Sequence, residues 1–302
     1  MNTEHLQYFD LAYRLGSYSA AARRVPCSPQ GLSRAVHSLE RSLGVTLFDT
    51  DTRGNLTPTE YARELHEFAQ VLDGNVRLLK EEFDRIRGQR RYTLRLGCSL
   101  GVLGLMGPGF LPEFSHANLD VDVVHWEVND ETCDEGLMQG DYDVALGVAP
   151  YLPEFDAAEF YRCPMYLWVS SGDPLASRAS VGVSDLAGKR VAVPGAGFKH
   201  YDILRAEARR AGVELGSVYE ISEEFQLYDF ALRGEGVGLT VRHVAQMEVF
   251  RQMDGVKAIP VEGTPWGCGV QRLKTRALGD AERRFWNWTL RYARRLPSDI
   301  LD

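Results

Sequence analysis

Gln30, Ser33, Arg34, His37 and Arg41 recur at helical spacing along SPQGLSRAVHSLERSL, residues 28–43, and fall on one face. Side chains of these types hydrogen-bond to base edges and to phosphates. The opposite face carries Leu32, Val36, Leu39 and Leu43 at steps of four, three and four, an apolar stripe that would seat the helix on a core. Ser28 suits the cap of such a helix. Pro29 suits its first position, where a missing N–H costs nothing. An ordinary core helix with a solvated polar face fits the same residues, so the flanking sequence has to decide.

The elements that would position this face lie on either side. Thr3 to Leu15 holds Leu6, Phe9 and Tyr13 at helical spacing, and Gly16-Ser17 breaks the pattern. Ser19 is expected to open a short Ala-rich helix that ends before Pro26. Two short helices, a tight turn at Pro26-Cys27 and a third polar-faced helix make a helix-turn-helix. Gly44 stops the third helix. Val45 to Phe48 reads as a strand, Asp51 to Asn55 as a polar turn and Leu56-Thr57 as the return strand, which together form a wing.

Residues 1–60 resemble the DNA-binding domain of the LysR-type transcriptional regulators. The resemblance is carried by Leu6, Phe9, Gly16-Ser17, Ser19, Ala21-Ala22, Ser28, Leu32-Ser33-Arg34, Leu39-Glu40, Leu43-Gly44-Val45, Leu47-Phe48 and Leu56-Thr57. It implies DNA contacts from Ser17, Ser19, Ser28, Pro29, Gln30, Ser33, Arg34, His37 and Arg53. Pro29 and Gln30 stand in swapped order relative to the family, Thr50 where a basic residue is common, and Glu60 where a glycine is common. Those departures bear on the operator sequence and the wing's grip on phosphate rather than on the fold.

The 302 residues are 44% hydrophobic and 25% charged, enough for two or three globular domains. No apolar run is long enough to span a membrane, and no basic head precedes an apolar segment, so a cytoplasmic protein without membrane partners is expected. Net charge is −8. Within residues 1–60, Arg14, Arg23, Arg24, Arg34, Arg41 and Arg53 are balanced by Glu4, Asp10, Glu40, Asp49, Asp51 and Glu60. A neutral module neutralises few phosphates, so one copy should bind weakly, gain from pairing, and show a modest salt slope. The five cysteines form no CxxC pair, which argues against a disulfide framework or a metal site and for buried thiols; no cofactor is expected. A redox-responsive regulator of the same fold is the alternative, because the family's plan puts Cys163 and Cys268 on its two crossing strands.

From Thr59 to Arg87, Tyr61, Leu65, Phe68, Leu72, Val76, Leu79, Phe83 and Ile86 step by three or four, a long amphipathic helix with a coiled-coil-like seam. The seam fits either a second copy or the helix's own domain. The resemblance implies the former: a homodimer or homotetramer on an inverted repeat in double-stranded promoter DNA, with RNA polymerase as a further partner. Gly88 to Arg91 reads as a hinge. Strands and helices then alternate, with strands at Thr93–Gly97, Val121–Glu127 and Val144–Val148, and helices from the Ser99-Leu100-Gly101 opening to about Phe114, at Asp130–Gln139, from about Tyr201 to Ala211, at Glu224–Arg233 and at Val244–Gln252. A crossing strand follows at Tyr161–Ser170, then strands at Arg190–Val193, Tyr219–Ser222 and Gly236–Val241. Lys257–Pro260 and Gly267–Leu273 read as two further strands, and Asp280–Arg295 as the last helix. The fold class is α/β with an all-α-rich N-terminal winged helix-turn-helix and a C-terminal two-lobed, periplasmic-binding-protein-like effector domain. The expected divisions are 1–58 for DNA binding, 59–91 for the linker helix and hinge, and 92–302 for the effector domain. Lobe I would cover about 92–161 and 268–302, and lobe II about 162–267.

Open α/β sheets bind ligands beyond the carboxyl ends of their strands. In the family's plan the small-molecule effector would meet Ser99, Leu100, Gly101, Glu127, Asn129 and Val148 from one lobe. From the other it would meet Phe198, Lys199, His200, Glu223 and Gln226, with Trp266 before the return crossing. Ser99 and Lys199 suit an anion, and the nearby glutamates suit a cation, so effector charge stays open. No GxSxG, Walker, HExxH or Rossmann glycine pattern occurs, and an α/β enzyme would leave the winged helix unexplained; the missing secretory signal and the linker helix oppose a solute-binding protein.

Overall fold

The computed structural model describes residues 2–52, 54–87 and 91–296. The chain divides into two compact units, Met1–Arg90 with Lys274–Gly279, and Arg91–Leu273 with Asp280–Asp302.

The first unit opens with α1 (Thr3–Leu15), α2 (Tyr18–Ala22) and α3 (Pro29–Leu43). β1 (Phe48–Thr50) pairs antiparallel with β2 (Leu56–Pro58), and α4 (Glu60–Ile86) follows. α3 forms where its caps dictate. Ser28 Oγ accepts the Gly31 N–H at 3.1 Å, and Gly44 ends the helix at φ +71°, a left-handed conformation that glycine adopts without a Cβ penalty. Leu32, Val36 and Leu39 are buried in one core with Leu6, Phe9, Leu47, Phe48 and Leu56. Leu43, the last member of the predicted stripe, is exposed and stands outside that core.

Three local expectations are corrected. Ser17, not Ser19, caps α2, its Oγ accepting the Ala20 N–H. The first wing strand begins at Phe48 rather than Val45, because the Leu47 and Phe48 N–H groups are taken by the Glu40 carboxylate instead of a strand partner. The apolar stripe of α4 is divided. Ala62 and Ala69 are buried in the α1–α3 core with Leu65 and Leu72 packed beside them, while Tyr61, Phe68, Leu79, Phe83 and Ile86 are exposed. Asp10 of α1 fixes α4 in place, receiving Gln70 Nε2 at 2.9 Å and pairing with His66 Nδ1 at 2.8 Å. Tyr13 stacks on the same His66 ring. The predicted hinge residues Gly88, Gln89 and Arg90 lie outside the described residues.

The second unit is built on one eight-stranded sheet. Its strands are β3 (Tyr92–Ser99), β4 (Val121–Val128), β5 (Val144–Val148), β6 (Phe155–Ser170), β7 (Val191–Val193), β8 (Val218–Glu220), β9 (Val237–Val241) and β10 (Val256–Leu273). The order is β4-β3-β5-β10-β6-β9-β7-β8. β4, β3 and β5 run parallel, as do β9, β7 and β8, and the antiparallel pair β10–β6 joins the two sets. This is the two-lobed α/β plan expected from the sequence. β6 is longer than predicted, starting at Phe155. The two predicted strands 257–260 and 267–273 are one strand, β10, whose register slips between Val261 and Pro265. That irregularity absorbs Gly263 and Pro265, residues that read as breakers.

The helix predicted after β3 is two helices, α5 (Val102–Met106) and α6 (Phe110–Ala117), separated by Gly107-Pro108-Gly109. α7 (Asp130–Met138), α8 (Lys199–Ala211) and α9 (Glu224–Leu232) follow expectation within two residues. The helix predicted over 244–252 is likewise two short ones, α10 (Arg242–Ala245) and α11 (Glu248–Arg251). α12 (Asp280–Ala293) returns to lobe I, where Phe285 meets Phe110 and Phe114 edge-on. Among the described residues no helix is long and apolar enough to cross a membrane.

Candidate functional site

The polar face of α3 is open to solvent. Ser28, Pro29, Gln30, Arg34, His37 and Arg41 are exposed, and Ser33 is half-buried. Ser28 and the half-buried Ser17 use an oxygen lone pair as caps and keep a hydroxyl proton to donate. Ser19 is exposed on α2. His37 Nδ1 lies 2.6 Å from Glu40 Oε2. A carboxylate only accepts, so Nδ1 carries the proton of this contact and Nε2 is the nitrogen left to face outward. Glu40 is a residue that the pattern of exposed polar side chains passes over; it orients His37 and holds the start of the wing. Arg53 lies outside the described residues.

The second predicted site is partly assembled. Ser99 ends β3 and is fully buried, and Gly101 follows at φ +89°. That left-handed turn aims the Gly101 carbonyl at His243 Nε2, 3.1 Å away, and a side chain there would be strained. Asn129 caps α7, accepting the Thr132 N–H at 2.8 Å. Asp130, one residue on, accepts the Lys199 N–H at 2.9 Å and is pushed up in pKa by burial, against the pull of Lys199 and Ser99. The Lys199 ammonium lies 2.7 Å from Asp134 Oδ2 and donates to the carbonyls of Val148 at 2.6 Å and Pro150 at 2.9 Å. In this arrangement Lys199 spends its charge on α7 and its protons on the end of β5. Phe198 meets His200 edge-on. Trp266 stands in β10 with His200, His243 and Tyr161 around its ring at 6.0, 5.5 and 6.0 Å. Leu100, Glu127, Glu223 and Gln226 face solvent outside this buried group.

His243 is the residue that sequence reading missed. It follows the carboxyl end of β9, so the rule that selected Ser99 and His200 would have selected it. Burial lowers the pKa of both His200 and His243 from 6.5 to about 4, and His243 adds its charge repulsion at His200. The folded state therefore holds these rings neutral. Their contribution to stability is complete above pH 6.5 and is lost as pH falls toward 4, on the order of 3 kcal/mol for each ring. Glu224 runs the other way. Burial raises its carboxyl to about 7, so its contribution is present below pH 4.5 and lost as pH rises through 7; Thr240 Oγ1 donates to it at 3.1 Å. Urea midpoints of wild type, His200→Asn and His243→Asn between pH 4 and 6.5 test the histidines. The variants should show a flatter decline on acidification, and an unchanged slope would assign that decline to other groups.

Cys163 and Cys268 lie on β6 and β10 as expected, in diagonal register, since Cys163 pairs with Trp266 and Cys268 with Tyr161. Burial raises both thiols, and also those of Cys98 and Cys133, the last to about 12. A thiolate is the reactive form, so these four sites favour inert thiols over oxidant sensing.

Comparison with known proteins follows the same division. The LysR substrate binding domain model matches residues 87–294, and the model of the bacterial regulatory helix-turn-helix protein, lysR family, matches residues 3–63. The HTH-type transcriptional regulator CbbR of Rhizobium meliloti (strain 1021) is 27% identical over 248 residues, covering 81% of this chain and 78% of its own. Full-length OxyR from Pseudomonas aeruginosa superposes with a TM-score of 0.68 at 16% identity, over 98% of this chain and 95% of its own. Full-length CbnR, solved in complex with its target DNA, gives 0.52 at 19% identity, over 97% and 100%.

Proposed function

The chain belongs to the LysR family of transcriptional regulators, and from that premise we propose how its parts divide the work. It is a DNA-binding regulator with an effector-binding domain. In our reading residues 1–58 read the DNA, 59–91 pair two copies, and 92–302 bind the effector between the lobes. Relatives are regulators rather than enzymes, and we read this chain as non-catalytic and at work in the cytoplasm.

The observation that carries the reading is the exposed face of α3, where Gln30, Arg34 and His37 stand free of the core. A polar face that the fold leaves open, on the second helix of a helix-turn-helix, is placed to enter a major groove. Pairing is supported by α4, which turns Tyr61, Phe68, Leu79, Phe83 and Ile86 to solvent while its other side is spent on the domain core. Two joined copies would read an inverted repeat, and the gain from pairing offsets the weak grip of a neutral module. Association into tetramers and contact with RNA polymerase extend the same reading.

Footprinting on the promoter region beside the protein's own gene tests it. A protected inverted repeat is expected, and absence of any protected site at low salt would sink the DNA assignment. Arg34→Ala should then weaken specific binding by about 1–3 kcal/mol. If Arg34 reads a base, site preference at one position relaxes; if it holds a phosphate, binding weakens uniformly. Unchanged affinity and preference would remove Arg34 from the interface.

A further inference from the structure

Three ring nitrogens belong to one buried aromatic group where the lobes join: Trp266 Nε1, with His200 Nδ1 and His243 Nδ1 on rings whose centroids lie 6.0 and 5.5 Å from that of Trp266, each buried and, among the described residues, without a hydrogen-bond partner. All three residues are less than a tenth exposed. They come from different elements, His200 from the first turn of α8, His243 from α10 and Trp266 from β10, and His243 is tied to Gly101 after β3. Buried polar groups in folded proteins are almost always paired, so a cluster of three marks a place that a ligand completes.

We propose that this junction takes a small, uncharged, flat molecule carrying one hydrogen-bond acceptor and one donor, received by Trp266 Nε1–H and His243 Nδ1. The proposal rests on the reading that the space between the lobes is the effector site.

The tautomer of His243 sets half of the chemistry. Its Nε2 faces the Gly101 carbonyl, which only accepts, so Nε2 bears the proton. Burial keeps the ring neutral, which leaves Nδ1 as a lone-pair acceptor. The Trp266 indole can only donate. The ligand must therefore supply an acceptor to one and a donor to the other. The ring faces of Trp266, His200 and Tyr161 favour a flat partner.

Charge decides against an ion. The Lys199 ammonium already meets three oxygens, of Asp134, Val148 and Pro150. Arg242, the cation near Tyr161 and Cys163, has interactions of its own. An entering anion would thus find neutral donors and the buried Asp130 carboxyl. A cation would face the positive edge of the Trp266 N–H.

Matched amides and acids test this on the full-length chain: benzamide against benzoate, nicotinamide against nicotinate, acetamide against acetate. The readout is the indole N–H signal of Trp266 by NMR, assigned through substitution of the other tryptophans. The aromatic amides should shift that signal and bind at least tenfold more tightly than their acids. Trp266→Phe, which keeps a ring but removes the donor, should weaken the amides about tenfold. Acids that outbind amides would overturn the proposal, as would silence from every probe or amide binding unchanged in Trp266→Phe. Amides that bind and move other signals while Trp266 stays still would instead overturn the placement of the effector site. If Trp266→Phe fails to fold, the indole shift in the unsubstituted chain still decides.

Discussion

Glu40→Ala should lower the stability of the N-terminal unit by about 2–4 kcal/mol and weaken DNA binding at least tenfold. Glu40 Oε1 accepts the Leu47 N–H at 2.7 Å and the Phe48 N–H at 3.4 Å, and Oε2 accepts from His37 Nδ1 at 2.6 Å. Leu47 and Phe48 are buried core residues, so alanine leaves their backbone donors unpaired where water has little access. Hydrogen bonds to an ionised acceptor contribute more than neutral ones, and stranding the donors adds a desolvation cost. The functional loss has a separate cause. Without the carboxylate, His37 loses the contact that sets its tautomer and aim, and the chain entering the wing loses its anchor. Glu40→Gln keeps one carbonyl oxygen for Leu47 but offers only one acceptor atom, so it should recover more stability than DNA affinity. Equilibrium unfolding and titration of the footprinted site measure both. A Glu40→Ala protein within about 0.5 kcal/mol of wild type, with equal affinity, would show that the wing holds itself.

The elements around α3 were legible because local chemistry decides them. Ser28 caps, Pro29 begins, Leu32, Val36 and Leu39 face the core, and Gly44 turns left-handed. The start of the wing was misread for a nonlocal reason: the donors of Leu47 and Phe48 go to a side chain seven and eight residues back, a competitor that strand periodicity does not register. The α4 stripe misled in another way. Steps of three and four drift around a straight helix, so Leu65 and Leu72 reach the domain core while Phe68 and Leu79 do not. β10 was split in the reading because Pro260, Gly263 and Pro265 carry breaker signals that hold only for an uninterrupted ladder.

The cleft was legible as far as strand ends are. His200 meets Trp266, and Lys199 and Ser99 both meet Asp130, at strand ends that the topology rule selects. What the sequence cannot show is how their charges are spent. Lys199 reads as a free cation until its partner is known, and Asp134 lies on a helix of the other lobe, more than sixty residues earlier. The pairing depends on the two lobes meeting, which no local pattern encodes.

Lys199→Met should therefore destabilise the second unit by about 3–5 kcal/mol, the cost of breaking a buried ion pair from one side. The side chains of Lys199 and Asp134 are 16% and 8% exposed, too buried for solvent to screen the change. Methionine fills much the same space but leaves Asp134, among the described residues, with the Gln271 amide, and the Val148 and Pro150 carbonyls without the Lys199 donor. Lys199→Met combined with Asp134→Asn removes both charges and keeps an acceptor for Gln271, so it should recover more than half of the loss. Urea unfolding followed by tryptophan fluorescence gives these differences, and a double variant no better than the single would mean that the pair is not the source. The functional consequence follows from position. Lys199 begins α8 in lobe II, and its backbone and ammonium are held by α7 and the end of β5 in lobe I, with the Glu131 N–H bonded to Gly197 O alongside. A ligand that needs the lobes to part works against this tie. Weakening the tie should raise effector affinity; by linkage, the factor by which effector then changes operator affinity equals the factor by which operator changes effector affinity. Equal effector affinities in wild type and the double variant would show that the lobes open without breaking it.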